Sequence, residues 1–283
     1  MTDPIIARMD EDLKDLGRSI HTRRAYIQVV KRLHRYAGGP LEELGIDEVL
    51  EFTRTNIRSD RFAPNSLAVH AAAIRFLFNV TLRRPEVVRG IRTPRRRRKL
   101  PVVMTVDEVK RCIVASPNER ARAFIMLAYG AGLRISEVRH LQSGDIRTRD
   151  GVIHIRCGKG RKERLVMLSG VLLRQLRVAW REQKPEGPWV FPGMRRGTPI
   201  CARHIRRVWK DAQERAGLRR YYPFHALRGS FATHMLDAGT DLRSIQVLLG
   251  HAQMSTTIRY IAVQAQHVRD VASPLDRLAL ATR

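Results

Sequence analysis

GVIHIRCGKGRKERLVML, residues 151–168, interrupts an otherwise helical pattern. Ile153 and Ile155 alternate with polar residues, GKGRK forms a turn, and Leu165 to Leu168 return. Alternation on both sides of a glycine-rich turn predicts a β-hairpin, here with a basic tip. This reading sets the fold class: mainly α with a small antiparallel β-sheet, the sheet lying in the second of two domains. Upstream, Thr105 and Glu108 make a capping box for a helix carrying Val106, Val109 and Ile113. A very apolar helix follows over about 119–129 and ends at Gly130 and Gly132. Downstream, helices are expected at about 170–183, 200–216, 225–238, 241–249 and 255–263, with Pro223, Gly217, Gly239 and Gly250 as punctuation.

The first ninety residues read as a small helical bundle. Asp3 and Pro4 supply a cap and first-turn proline ahead of Ile5, Ile6, Met9, Leu13 and Leu16, and Gly17 is the stop. Thr22 opens a second helix whose stripe is Tyr26, Val29, Val30, Leu33 and Tyr36, ended by Gly38 and Gly39. Asp47 begins a shorter one through Val49, Leu50 and Phe52. Pro64 to Ser66 start a fourth, with Leu67, Ala71, Ile74, Leu77 and Phe78 on its apolar face.

Between the domains, LRRPEVVRGIRTPRRRRKLP (82–101) has glycine and proline breaks and the run Arg95, Arg96, Arg97, Arg98 and Lys99. It reads as the interdomain stretch, with 1–90 as the helical domain, 91–101 as the basic linker proper and 102–283 as the second domain with a C-terminal tail. A run of this kind can be a solvated tether or a localisation signal. Contact with phosphates is the better reading, because both flanking domains are also basic. The whole chain of 283 residues holds 53 Lys and Arg against 27 acids, net +26, and the excess is mostly arginine. Its guanidinium fork suits phosphate, so a polyanionic partner, nucleic acid, is implied. No run of about 18 apolar residues is present, so a membrane span is not expected. MTDPIIARMDEDLKDL lacks the long apolar core of a signal peptide. Cys112, Cys157 and Cys201 lie far apart and form no zinc or disulfide pattern. They read as structural cysteines of a reducing cytosol, and no metal is expected.

The chemistry is sharpest around tyrosine 260. At about 100° per residue, Ile258, Ile261 and Ala262 cluster on one side of the last helix, and Tyr260 lies roughly opposite Ile258, off the core stripe. A phenol has a pKa near 10, so a tyrosine that attacks a phosphodiester needs a proton acceptor and an activating field. The transition state needs fixed cationic donors, and the leaving oxygen needs a general acid. Arg134 follows a Gly-Leu turn at a helix head, with Glu137 three residues on, able to orient it or to form an ordinary surface pair. Lys159 and Lys162 tip the hairpin beside Arg161. YPFHALR (222–228) places His225 and Arg228 on one face at a helix start, and His251 follows Leu-Gly at a loop.

In chain order these motifs are GLRISE (132–137), GKGRKERLV (158–166), HALRGSFATH (225–234), LLGH (248–251) and Tyr260. The set resembles the tyrosine recombinases of the phage-integrase and Xer-like family, over essentially all of the second domain. More loosely, Thr22, Tyr26 and the helical layout resemble that family's SAM-like core-binding domain. The resemblance implies that Arg134 and Arg228 clamp the scissile phosphate and Lys159 protonates the leaving 5′ hydroxyl, with Lys162 a lesser candidate. It implies that His225 takes or relays the proton of Tyr260, His251 donates to the phosphate, Glu137 supports from behind, and Tyr260 forms a 3′-phosphotyrosyl link. It also implies a C-shaped clamp on duplex DNA, with Arg95–Lys99, Arg161 and Lys162 touching the DNA. The assembly would be a homo-tetramer on two DNA sites, or a hetero-tetramer with a related recombinase, acting through a Holliday junction without metal, ATP or membrane. A cytoplasmic, nucleoid-associated location fits. Gly229 stands where the family often has histidine, and Met167 where a proline is common. A type IB topoisomerase and a catalytically silent DNA-binding protein are the rival readings.

Overall fold

The computed structural model describes residues 3–58, 62–92, 103–156 and 163–250. The chain divides into two compact units, Met1–Lys99 and Leu100–Arg283.

The first unit is a helical bundle. Helix α1 (Pro4–Asp15) starts as its sequence predicts, with the Asp3 carboxylate accepting from Ile5 N–H and proline in the first turn. Helix α2 (Ile20–Ala37) begins two residues before the expected Thr22. The cap is Ser19, whose hydroxyl accepts from Thr22 N–H at 3.2 Å. Helix α3 spans Ile46–Arg58 and α4 spans Pro64–Phe76, which runs on into a π-helical turn, Leu77–Thr81. Met9, Leu13, Val29, Val30, Leu33, Val49, Ile74 and Phe78 fill the core, and burying each such side chain contributes about 1.5–3 kcal/mol. The stretch after residue 82, read from its breaks as linker, carries Val87, Val88 and Ile91 into this same core. Breaks in that stretch mark a short 3-10 turn, Pro85–Val88, rather than an exit from the bundle.

The second unit is built around α6. Helix α5 (Val106–Val114) carries the expected capping box, with Thr105 and Glu108 satisfying each other's backbone N–H. Helix α6 (Glu119–Gly130) is buried from Ala123 to Gly130 without a break, which explains its lack of a polar face. Next come the short helix α7 (Ile135–Arg139), then strands β1 (Ile146–Arg147), β2 (Val152–Ile155) and β3 (Arg164–Met167). These form one antiparallel sheet in the order β1-β2-β3, with Val152 opposite Met167 and Ile155 opposite Arg164. The hairpin is where its alternation put it, and β1 is an additional edge strand. Helices α8 (Gly170–Gln183), α9 (Ala202–Arg215), α10 (Ala226–Asp237) and α11 (Leu242–Leu249) complete the described unit.

Two buried contacts fix the approach to α10. The Trp209 indole N–H donates to the Tyr222 carbonyl at 2.7 Å, and Tyr222 N–H donates to Gln213 Oε1 at 2.7 Å. The Tyr222 hydroxyl donates to Glu108 on α5 at 3.0 Å. Of the cysteines, Cys112 is buried in the core, whereas Cys201 is exposed, with its sulfur at the α9 cap. Cys157 lies outside the described residues.

Candidate active site

The site grows from the turn after α6. Gly132 has φ +63°, and a Cβ there would stand 2.8 Å from Phe231 Cδ1 and 3.0 Å from Leu249 Cδ2. Both the backbone conformation and the space demand glycine. The turn delivers Arg134 to the head of α7, where Glu137 folds back on it. One carboxylate oxygen accepts from Arg134 N–H and the other from Arg134 Nη1, both at 2.8 Å. An i,i+3 pair of this type could have been a surface pair. Here the Glu137 side chain is 1% exposed, so the contact is an interior one.

Glu137 gathers three guanidiniums. Arg164, on β3, grips it with Nη1 on Oε1 and Nη2 on Oε2, each at 2.8 Å. Arg228, in the first turn of α10, brings Nη1 to 3.6 Å from Oε2. Arg228 also donates to the carbonyls of Gly132, at 2.6 Å, and Leu249. Arg164 Nε donates to the Leu248 carbonyl at 2.7 Å. The C-terminus of α11 therefore ends on two cations, the favourable sign for the negative end of a helix. Gly250 follows in the left-handed region, φ +60°, and a Cβ there would meet Arg164 Cδ at 2.9 Å.

The electrostatics follow from this crowding. Burial would raise the pKa of Glu137, but hydrogen bonds and charge from Arg164, then Arg134, prevail and hold it down at about 2. Burial, with Arg134 and Arg164 nearby, pushes Arg228 down to about 9, opposed by Glu137, and it stays cationic at pH 7. His225 stands at the N-cap position of α10, where its side chain makes no capping hydrogen bond. Its pKa lies below the ordinary 6.5, through desolvation and then the charges of Arg228 and Arg134, with Glu137 pulling the other way. The neutral imidazole is thus the resting form at neutral pH, able to accept a proton.

Of the residues singled out from the sequence, the structure brings together Arg134, Glu137 and Arg228, with His225 within their electrostatic reach. Lys159, Arg161, Lys162, His251, Tyr260 and the run Arg95, Arg96, Arg97, Arg98 and Lys99 lie outside the described residues. Sequence reasoning passed over Arg164. Its signal was an arginine at an inward-facing strand position, two residues before buried Val166, where an apolar side chain is expected. Among the described residues, no three His, Cys, Asp or Glu side chains gather as a metal-binding group, and no helix is long and apolar enough to cross a membrane.

Comparison with known proteins gives the arrangement a context. Residues 102–267 match the model of the phage integrase family, and residues 5–86 match that of the phage integrase N-terminal SAM-like domain. A putative integrase/recombinase, y4qK, of Sinorhizobium fredii is 35% identical over 276 residues, covering 97% of this chain and 89% of that protein. The tyrosine recombinase XerA of Thermococcus kodakarensis is 33% identical, covering 95% of each. Among solved structures, a lambda integrase tetramer bound to a Holliday junction superposes with a TM-score of 0.70 at 20% identity, covering 94% of this chain and 76% of that one. XerH bound to its difH substrate in a pre-cleavage complex gives 0.69 at 20% identity, covering 88% and 79%.

Proposed function

The chain belongs to the phage integrase family and is a site-specific DNA recombinase of the tyrosine type, and from that premise we propose how its residues divide the work. Arg134 and Arg228 bind the non-bridging oxygens of the scissile phosphate. The Tyr260 oxygen attacks phosphorus, its proton passes to neutral His225, and the bond to the 5′ oxygen breaks as Lys159 protonates it. His251 donates a hydrogen bond to the phosphate. The product is a 3′-phosphotyrosyl ester and a free 5′ hydroxyl, and attack by a 5′ hydroxyl on that ester rejoins a strand without ATP.

The observation that carries this reading is the trio around Glu137. One buried carboxylate fixes two arginines that lie 94 positions apart in sequence, and both belong to the motif set that includes Tyr260. Preorganised cationic donors of this kind stabilise charge that develops in a transition state. Arg95, Arg96, Arg97, Arg98, Lys99, Arg161 and Lys162 would contact DNA, chiefly its phosphates. Four copies on two duplex sites, exchanging strands through a Holliday junction, is the assembly we favour. The relative solved as a tetramer on such a junction supports it. That substrate implies a location with the nucleoid DNA.

The test begins by sequencing DNA covalently captured by the protein, which also yields its site. On a nicked suicide duplex of that site, the unmodified protein should accumulate a covalent adduct and Tyr260→Phe should form none. An adduct with Tyr260→Phe would refute the nucleophile assignment. Absence of any adduct with the unmodified protein would leave a silent DNA-binding protein. Relaxation of supercoils with no site requirement would instead favour a topoisomerase.

A further inference from the structure

An acid in a phosphate-binding site poses a problem. Glu137 orients Arg134 and approaches Arg228, yet its negative charge would repel the phosphate those arginines are meant to hold. Arg164 resolves the conflict. Its described hydrogen bonds use all three guanidinium nitrogens: Nη1 and Nη2 on the two Glu137 oxygens, Nε on the Leu248 carbonyl. The two-pronged grip at 2.8 Å sets Arg164 apart from Arg228, which comes no nearer Glu137 than 3.6 Å, and its charge neutralises Glu137.

We propose that Arg164 is a positioning residue for strand cleavage: it is the counter-ion of Glu137, so that the acid can aim Arg134 and Arg228 while both keep their charge for the phosphate. The inference rests on the recombinase reading above and adds a residue to it. The cluster of Arg134, Arg164, Arg228 and Glu137 carries a net charge of two positives. Without Arg164 it carries one, as the transition state gathers a second negative charge. Lysine cannot replace it fully, because an ammonium lacks the planar fork that meets both carboxylate oxygens while reaching the α11 carbonyl.

The experiment uses the full-length protein and a suicide duplex of the captured site, with single-turnover cleavage, equilibrium DNA binding and thermal melting measured for each variant. Arg164→Met should cleave about 100-fold more slowly, the scale of a misplaced catalytic group, and bind DNA within about threefold of the unmodified protein. Arg164→Lys should lose about tenfold. The decisive variant is Arg164→Met with Glu137→Gln. Removing both members of a neutral pair restores the charge facing the phosphate, so cleavage should recover at least tenfold over Arg164→Met alone. A double variant no faster than the single would overturn the proposal, as would Arg164→Met cleaving within threefold of the unmodified protein. If Arg164→Met melts below the assay temperature, Arg164→Lys carries the test, and cleavage within twofold of the unmodified protein overturns it. If both melt there, Arg164 is a structural staple and the proposal falls. An unmodified protein that forms no adduct refutes the recombinase reading instead, so the two failures are told apart.

Discussion

Replacing Glu137 by glutamine should cost stability in a way that depends on pH. In the folded protein the carboxyl is held at about 2, against an ordinary value of 4.5. The unfolded chain therefore binds that proton more tightly than the folded one. The resulting stabilisation is complete above about pH 4.5 and drains away as pH falls towards 2, with about half left midway. At 1.36 kcal/mol for each pKa step, the whole is about 3 kcal/mol at neutral pH. Water screens little of this, since the side chain is 1% exposed. Glutamine keeps an acceptor oxygen but leaves Arg164 and Arg228 buried without a counter-charge, which is costly in its own right. Urea denaturation of the unmodified protein and Glu137→Gln, compared at pH 7 and then stepwise to pH 3, should show a gap of at least about 3 kcal/mol that holds down to about pH 4.5 and narrows below it. A gap that stays constant across that range would mean that the carboxylate charge is not what holds the site together.

Gly132→Ala should lower stability by about 1–3 kcal/mol, because its φ is +63° and its Cβ would press on Phe231, and a calorimetric melt reads this directly. Thr105→Ala, which removes half of the α5 capping box, should cost about 1 kcal/mol in chemical denaturation. The His225 ring, followed by NMR, should titrate below 6.5, and Arg134→Ala should move its midpoint upward by removing a neighbouring cation.

Much of this architecture is readable before folding because it is locally encoded. The Asp3–Pro4 start of α1, the Thr105/Glu108 box and the alternation of the hairpin each depend on residues a few positions apart. What escaped depends on distant partners. Strand β1 is two residues long and exists by pairing with Val152 and Ile153. The start of α2 went to Thr22 because two capping residues, Ser19 and Thr22, compete three positions apart, and the hydroxyl of the first accepts from the N–H of the second. Val87, Val88 and Ile91 sit among arginines and breaks, so their burial shows in the folded unit and not in their pattern. Within the site, the spacing of Arg134 and Glu137 was legible, but whether that pair faces water or the interior is decided by Arg164 and Arg228, 27 and 91 positions beyond the acid. Arg164 went unremarked because a charge beside a basic hairpin tip looks like more of the same tip.

The glycine of LLGH has a meaning for the recognition of related chains. Gly250 precedes a histidine assigned to the phosphate, so the dipeptide looks like a chemical signature. Its missing side chain is instead the space through which the stem of Arg164 passes, 2.9 Å from where a Cβ would be. The glycine thus answers both to the left-handed end of α11, φ +60°, and to an arginine 86 positions earlier. A candidate relative carrying Leu-Gly-His should be searched for that inward arginine on its second hairpin strand, and a relative with a larger residue at the glycine should have solved the neutralisation of its acid in another way.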